Sequence, residues 1–194
     1  LQLFLPGVHG QTQFNKYALF MTTNPIVKIL SIITYSAILL HIFVTIYLVI
    51  QSKKARPIGY AVSSGNDNSN WSSRNMALLG TIILFFLIVH LKSFWYKMHF
   101  GEMPYQYFSD GTKIKDLHLI TTSAFKNPFY TFFYVFSMGA LFLHLKHGVE
   151  SAIQTVGLKI PSYEKFFKYV AMTLAFSISV VFASIPIYLF ILNI

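Results

Sequence analysis

Cysteine is absent from all 194 residues. That removes disulfides, iron–sulfur ligation and thiolate-ligated haem from anything this chain does alone. Acidic residues are scarce, six Asp and Glu against fifteen Lys and Arg. Charged residues of both signs make up only 11% of the chain, well under the roughly 25% of a soluble domain. Apolar residues fill the space: 55% are hydrophobic, with 20 Phe and 12 Tyr, and the mean hydropathy is +0.56. This is the composition of a membrane protein, and the aromatic load suits lipid-facing and interfacial positions. A formal charge of +9 would suggest nucleic acid in a soluble chain. Here the basic residues lie mostly in or beside connections between apolar runs, where lipid headgroups and acidic partner subunits are the counterparts and nucleic acid is not expected.

Four segments reach the roughly 20 residues that a helix needs to cross a hydrocarbon core. They cover about 25–50, 74–96, 128–148 and 166–192. Pro25 and Pro128 suit first helical turns, Ser72, Ser73 and Asn127 are candidate N-caps, and Pro186 predicts a kink. The runs are continuous rather than alternating, which excludes barrel strands. The fold expected is a single all-α domain, a bundle of four transmembrane helices. The 53–73 connection is polar and irregular, the 99–127 connection has room for a short interfacial helix around Lys113–Ala124, and Gly157–Tyr163 reads as a tight turn. Leu1 is not an initiator Met, and Leu-Gln-Leu-Phe-Leu-Pro resembles neither a signal peptide nor a lipidation motif.

Consecutive spans alternate direction. Side A holds the 53–73 and 149–165 loops, with Lys53, Lys54, Arg56, Arg74, Lys146, Lys159, Lys165 and Lys168 on or beside compact connections. Side B holds the N-terminus and the 99–127 loop, with Lys16, Lys28, Lys97, Lys113, Lys115 and Lys126 spread over longer ones. The positive-inside rule favours side A as cytoplasmic.

Three histidines lie inside different spans, and intramembrane titratable groups are rare and usually functional. His41 and His144 each follow the start of a span by 16 residues, at Pro25 and Pro128. That is roughly 24 Å of helix, so both reach the half of the bilayer nearer side A. His90 follows Arg74 by the same distance in a span of opposite direction, which puts it nearer side B. A facing pair of imidazoles across an apolar slot is a common way to hold a b-type haem. The same residues also serve as interhelical hydrogen-bonding groups. A ligating imidazole needs an acceptor for its other nitrogen, and Thr34, Ser36, Thr45 and Ser137 are available. His147, three residues beyond His144, competes with it but sits at the side-A boundary, where a propionate or interface contact suits it better. His9, His99 and His118 fall in side-B connections and read as solvated or interfacial.

The run His144-Leu-Lys-His147-Gly148 continuing to Gly157 resembles the His-x3-Gly-x8-Gly segment of the succinate dehydrogenase and fumarate reductase cytochrome b subunits. The resemblance is to the single-chain, dihaem b558-type subunit. Asn24-Pro25, Lys54-Ala55-Arg56-Pro57 and Ser73-Arg74-Asn75-Met76 add to it. It implies five helices in the family, two b haems, a flavoprotein and an iron–sulfur partner on the cytoplasmic side of a bacterial inner membrane, and a quinone as electron acceptor or donor in the tricarboxylic acid cycle or in fumarate respiration. Carried over, it makes His41 and His144 the proximal haem ligands and His90 one distal ligand. Lys53, Arg56, Arg74 and His147 become candidate propionate or subunit contacts, though each basic residue also fits a plain positive-inside flank. The family's first helix, which supplies the other distal ligand, has no counterpart here, so the sequence is expected to lack one span and the distal haem one ligand. Phe142 stands where some dihaem fumarate reductases carry a Glu, and a proton path through that carboxylate is unsupported.

Rival classes make different demands. A transporter or channel with a His-lined pathway calls for carboxylates or broken helices beside the histidines, and the spans contain no internal Asp or Glu. A membrane di-iron oxygenase needs several His clusters near one face. A haem-less structural anchor remains as a third alternative. Gln2, Gln13, Asn15 and Tyr17 are quinone-site candidates by position alone.

Overall fold

Asn24 and Pro25 start the first long helix for local reasons. The Asn24 side-chain oxygen accepts hydrogen bonds from the N–H groups of Ile26 (2.9 Å) and Val27 (3.3 Å). Proline at the first helical position brings a preset φ and no orphan donor. The computed structural model describes residues 2–5, 7–55, 70–158 and 160–192. In it this helix, α2, runs Pro25–Ala55, and a further helix that the apolar pattern does not predict, α1, precedes it at Gly7–Thr23. A short α3, Trp71–Arg74, leads into α4, Met76–Phe100. Strands β1 (Tyr105–Tyr107) and β2 (Lys113–Lys115) pair antiparallel with Gln106 opposite Ile114. Helices α5 (Leu117–Ala124), α6 (Pro128–Thr155) and α7 (Glu164–Leu192) follow.

Among the described residues, four helical stretches are long and apolar enough to cross a membrane: Pro25–Ala55, Met76–Phe100, Pro128–Thr155 and Pro161–Leu192, the last entered through a 3-10 turn at Pro161–Tyr163. The shortest has 25 residues, about 38 Å of helix against a core of roughly 30 Å. The architecture is that of an all-α membrane protein, with one two-stranded sheet among the described residues.

The span ends differ from the sequence expectation for identifiable reasons. Helix α2 continues past Ile50 to Ala55, its last turn carrying Lys53 and Lys54, where cations favour the negative end of the helix dipole. Helix α6 passes through Gly148, since a lone glycine costs only about 1 kcal/mol in a helix. It stops at Gly157, whose φ of +77° allows the N–H of Leu158 to reach the carbonyl of Ile153 and its own N–H to reach that of Gln154. Asn127 caps α6 as expected, accepting from Phe129 (2.9 Å) and Tyr130 (3.2 Å). Ser72 and Ser73 are not caps: α3 begins ahead of them at Trp71, after Asn70. The helix expected over Lys113–Ala124 starts only at Leu117, because Lys113–Lys115 pairs as a strand and Asp116 caps the helix through the N–H of Leu119 (3.0 Å). Helix α7 runs through Pro186 to Leu192.

Packing is uneven. Helices α6 and α7 lie along one another, and α7 buries Ala171, Ala175 and Ser179 at four-residue spacing. Small residues at that spacing let two backbones approach in lipid, where burial of large apolar groups has no advantage over lipid contact. Helix α2 is the opposite case: it buries none of its residues, and it follows α1 through helical hydrogen bonds at Asn24. On side B, α1, the hairpin and α5 form a cap. Leu3, Phe94, Phe125, Tyr134 and Leu189 make the principal core beneath it, and Ala18, Met98 and Met103 a smaller one.

That cap is tied by a polar cluster. Asn15, fully buried, donates to Asp116 Oδ1 (2.9 Å) and Gln106 Oε1 (2.9 Å) and accepts from the N–H of His118 (2.9 Å). Gln11 donates to Asp116 Oδ2 (2.6 Å), and Gln106 donates to Thr12 (2.8 Å). Asp116, 3% exposed, thus keeps a carboxylate inside the protein on hydrogen bonds from amides and backbone.

Candidate cofactor sites

His41 of α2 and His144 of α6 face one another, with ring centroids 6.2 Å apart and planes at 85°. The two-helix arithmetic that put them at one depth is matched by this separation. Beside them opens a cavity of about 330 Å³ between α2 and α4, lined by Ile42, Thr45, Ala77, Gly80, Leu84 and both imidazoles among others. Gly80 matters to its shape. A Cβ placed there would lie 3.7 Å from His144 Cε1, so a methyl fits and any larger side chain would press on the imidazole.

The chemistry of this pair is incomplete as it stands. His144 Nδ1 is buried with no hydrogen-bond partner, a state that costs roughly 1–3 kcal/mol. Two of the four hydroxyls expected to support the rings are engaged elsewhere: Thr34 donates to Leu30 O (2.8 Å) and Ser137 to Phe133 O (2.7 Å), each within its own helix. No hydroxyl reaches His144 in the way the sequence suggested. A half-buried imidazole whose buried nitrogen has no partner, beside an apolar slot, suits a metal ligand. Two imidazoles in line on one metal, with bonds of roughly 2 Å, would hold ring centroids about 6 Å apart. A zinc site built from protein alone takes three or four ligands. Among the described residues no third His, Asp or Glu joins the pair. A macrocycle that brings its own equatorial nitrogens would need only two ligands from the protein.

His90 belongs to a different environment. Its ring stacks on Phe86 (centroids 5.6 Å, 28°) and lies 5.4 Å from Phe94 and 6.1 Å from Tyr134. Tyr134 Oη approaches His90 Nδ1 at 3.5 Å and is bonded to Tyr130 Oη at 2.7 Å. Immediately after His90 the helix widens into a π turn, Leu91–Tyr96, a distortion common at functional sites. The two environments are offset along the bundle. Gly80 and His90 on α4 are ten residues apart, as are Tyr134 and His144 on α6, so each helix separates them by about 15 Å.

The other candidates are scattered. His147 does not line the slot of His144. It faces a polar cleft of about 370 Å³ at the side-A end, with Asn70, Ser73, Glu150, Glu164 and Lys168, where Lys168 pairs with Glu164 at 2.8 Å. Arg74 closes α3, and Lys53 is exposed in the last turn of α2. Arg56 lies outside the described residues. His9 is exposed on α1, and His99 stacks on Trp95 at 4.5 Å. His118 lies in the first turn of α5 rather than in a loop, half-buried with its ring at 70° to that of Phe14. Burial pushes its imidazole below the ordinary value, against the pull of the Asp116 carboxylate. Of the positional quinone candidates, Gln13 and Tyr17 are exposed and Asn15 is committed to the cap.

Sequence reasoning passed over Tyr130 and Tyr134, Gly80, and the Asn15–Asp116 pairing. The tyrosines were findable, since they sit one turn apart on α6 at the depth computed for His90. The pairing was not, because Asn15 and Asp116 are 101 positions apart. No protein-family profile, curated protein or solved structure matches the chain.

Proposed function

We propose that this chain is a haem-binding membrane anchor subunit of a succinate:quinone oxidoreductase. It would sit in a bacterial cytoplasmic membrane with the 53–73 and 149–165 loops on the cytoplasmic side. The observation that carries the reading is the facing pair His41 and His144, 6.2 Å apart beside an apolar cavity. His41 and His144 would hold a b haem near side A, and the haem would supply one-electron transfer when bound. The protein's part is to present two neutral imidazoles, to exclude water with Ile42, Leu84 and their neighbours, and to keep Gly80 small. His90 would be one ligand of a second haem nearer side B. Lys53, Arg56 and Arg74 on side A meet the iron–sulfur subunit or haem propionates, and quinone exchanges electrons at side B.

Reduced-minus-oxidised spectra of the full chain purified from membranes, with haem counted per chain, test this. A b-type band is expected. His41→Ala or His144→Ala should abolish the side-A component, while His147→Ala should leave axial ligation intact. A chain with no b-type band would overturn the reading. Co-purification with flavoprotein and iron–sulfur subunits checks the anchor role separately.

A further inference from the structure

Helices α3, α6 and α7 meet at the side-A end of the bundle around the polar cleft of about 370 Å³. Two independent features fix its level in the membrane. Ser73 lies just ahead of the α4 span, Glu164 opens α7, and Glu150 lies in the last two turns of α6. The walls therefore come from the ends of three spans. Trp71, Tyr163 and Tyr169, next in sequence to the lining residues Asn70, Glu164 and Lys168, are all exposed. Exposed Trp and Tyr at span ends mark the headgroup layer.

The cleft differs in charge from the rest of side A. Lys53, Lys54 and Lys165 are exposed on that side. Among the described residues its two carboxylates, Glu150 and Glu164, both line the cleft. Glu164 pairs with Lys168 at 2.8 Å. Glu150 is half-buried and makes no ion pair or hydrogen bond among the described residues. Two carboxylates against one ammonium leave a net negative charge.

That pattern discriminates between ligand classes. An anion would fit Lys168 but meet two carboxylates at close range. A simple cation would suit Glu150 but compete with Lys168 for Glu164. Among the described residues no group of His, Asp and Glu suits a metal ion. A zwitterion with a hydrogen-bonding cation satisfies both ends. Its ammonium donates to Glu150, and its anion takes the N–H groups that Lys168 has beyond the one given to Glu164. Asn70 and Ser73 supply neutral donors for the same anion. At headgroup level the zwitterion at hand is a phospholipid. We infer that the cleft is a headgroup site for an aminophospholipid of the phosphatidylethanolamine class, Glu150 reading the primary ammonium and Lys168 the phosphate. The cleft volume falls within the roughly 300–1,000 Å³ of small-molecule sites. Phosphatidylcholine has no N–H on its quaternary nitrogen, so it can meet Lys168 but cannot bond to Glu150. The site is separate from the His41–His144 slot and does not rest on the cytochrome reading.

The test is lipid titration of the full chain by native mass spectrometry. The probes are phosphatidylethanolamine, phosphatidylcholine and phosphatidylglycerol with identical acyl chains. Phosphatidylethanolamine should bind about fivefold more tightly than phosphatidylcholine, the gain of one charge-assisted hydrogen bond at a half-exposed site. Glu150→Ala should erase that preference, while Lys168→Gln should weaken both lipids and keep their ratio. Stepwise methylation of the ethanolamine nitrogen gives the same reading with no variant, since the preference should be gone once the last N–H is replaced. Equal binding of the two zwitterionic lipids by the wild type, a preference that survives Glu150→Ala, or tighter binding of phosphatidylglycerol would overturn the inference. A cleft that instead receives a basic side chain from a partner protein gives the first of these results. Failure of the cytochrome reading appears elsewhere, as a missing b-type band, so the two outcomes separate.

Discussion

His144 and His90 lie in opposite halves of the same bundle and are held in opposite ways. His144 meets His41 across an open apolar slot, has a buried nitrogen without a partner, and faces a helix that buries none of its own residues. His90 is wrapped in Phe86, Phe94 and Tyr134, bonded through Nδ1, and roofed by a cap whose polar groups are tied to one another. Around His90 the chain's own side chains pack closely. The side-A half is built around a gap. In a membrane, exposed Ile and Leu on α2 are no burden, because lipid solvates them as well as protein would. A buried imidazole nitrogen without a partner is a burden, and that of His144 lies beside the cavity between α2 and α4.

The largest expected effect sharpens that contrast directly. Phe125, 3% exposed, touches Phe94, Tyr130 and Tyr134. Phe125→Ala should cost about 3–5 kcal/mol of stability, while Ile42→Ala at the slot should cost under about 1 kcal/mol, since α2 has no packed face to lose. Denaturant or thermal unfolding in detergent compares them, and equal losses would erase the distinction between the halves. Next is the cap. Asp116→Ala strands the amides of Gln11 and Asn15 and the N–H of Leu119, and roughly 2–4 kcal/mol should be lost. Asp116→Asn, which keeps one acceptor oxygen, should lose less.

The side-A pair gives the third prediction. His41 is exposed in the slot, so His41→Ala in the haem-free chain should change stability by no more than about 0.5 kcal/mol. The same variant should lose the side-A b-type band. A large stability loss without haem would mean that His41 is an interhelical fastener, and the comparison with His90 would fail.

The two halves were not equally legible in the sequence. The four spans and the shared depth of His41 and His144 follow from counts along helices of fixed rise, and the structure brings those rings together. The Asn24-Pro25 and Asn127-Pro128 starts were readable for the same reason: capping is a contact between near neighbours in sequence. The cap was not readable. Helix α1 has weak amphipathic patterning and polar residues at Gln11, Thr12 and Asn15, which make sense only against Gln106 and Asp116 about a hundred positions away. Hydroxyl direction was also beyond sequence, since Thr34 and Ser137 had to choose between a histidine and their own helix, and the helix carbonyl four residues back was nearer.

The smallest effect lies in the cap and fixes the sign of its pH dependence. Burial pushes His118 below its ordinary value, and the neighbouring Asp116 carboxylate only partly offsets this. The folded chain therefore binds fewer protons at His118 than the unfolded chain does near the ordinary value of 6.5. Its contribution to stability is present in full above that pH and is lost as the pH falls toward the lowered native value. Because the ring is only half-buried, solvent screening keeps the effect below about 1 kcal/mol. Melting temperature should fall between pH 7 and pH 5, and His118→Gln, which cannot titrate, should fall less steeply over the same interval. An identical slope in the variant would show that the acid sensitivity of the cap comes from another group, and a steeper one that His118 is stabilised by its charge. The steeper slope would turn His118 from a packed neutral ring into a charged partner of Asp116, making the side-B cap an ionic structure rather than one held by amides.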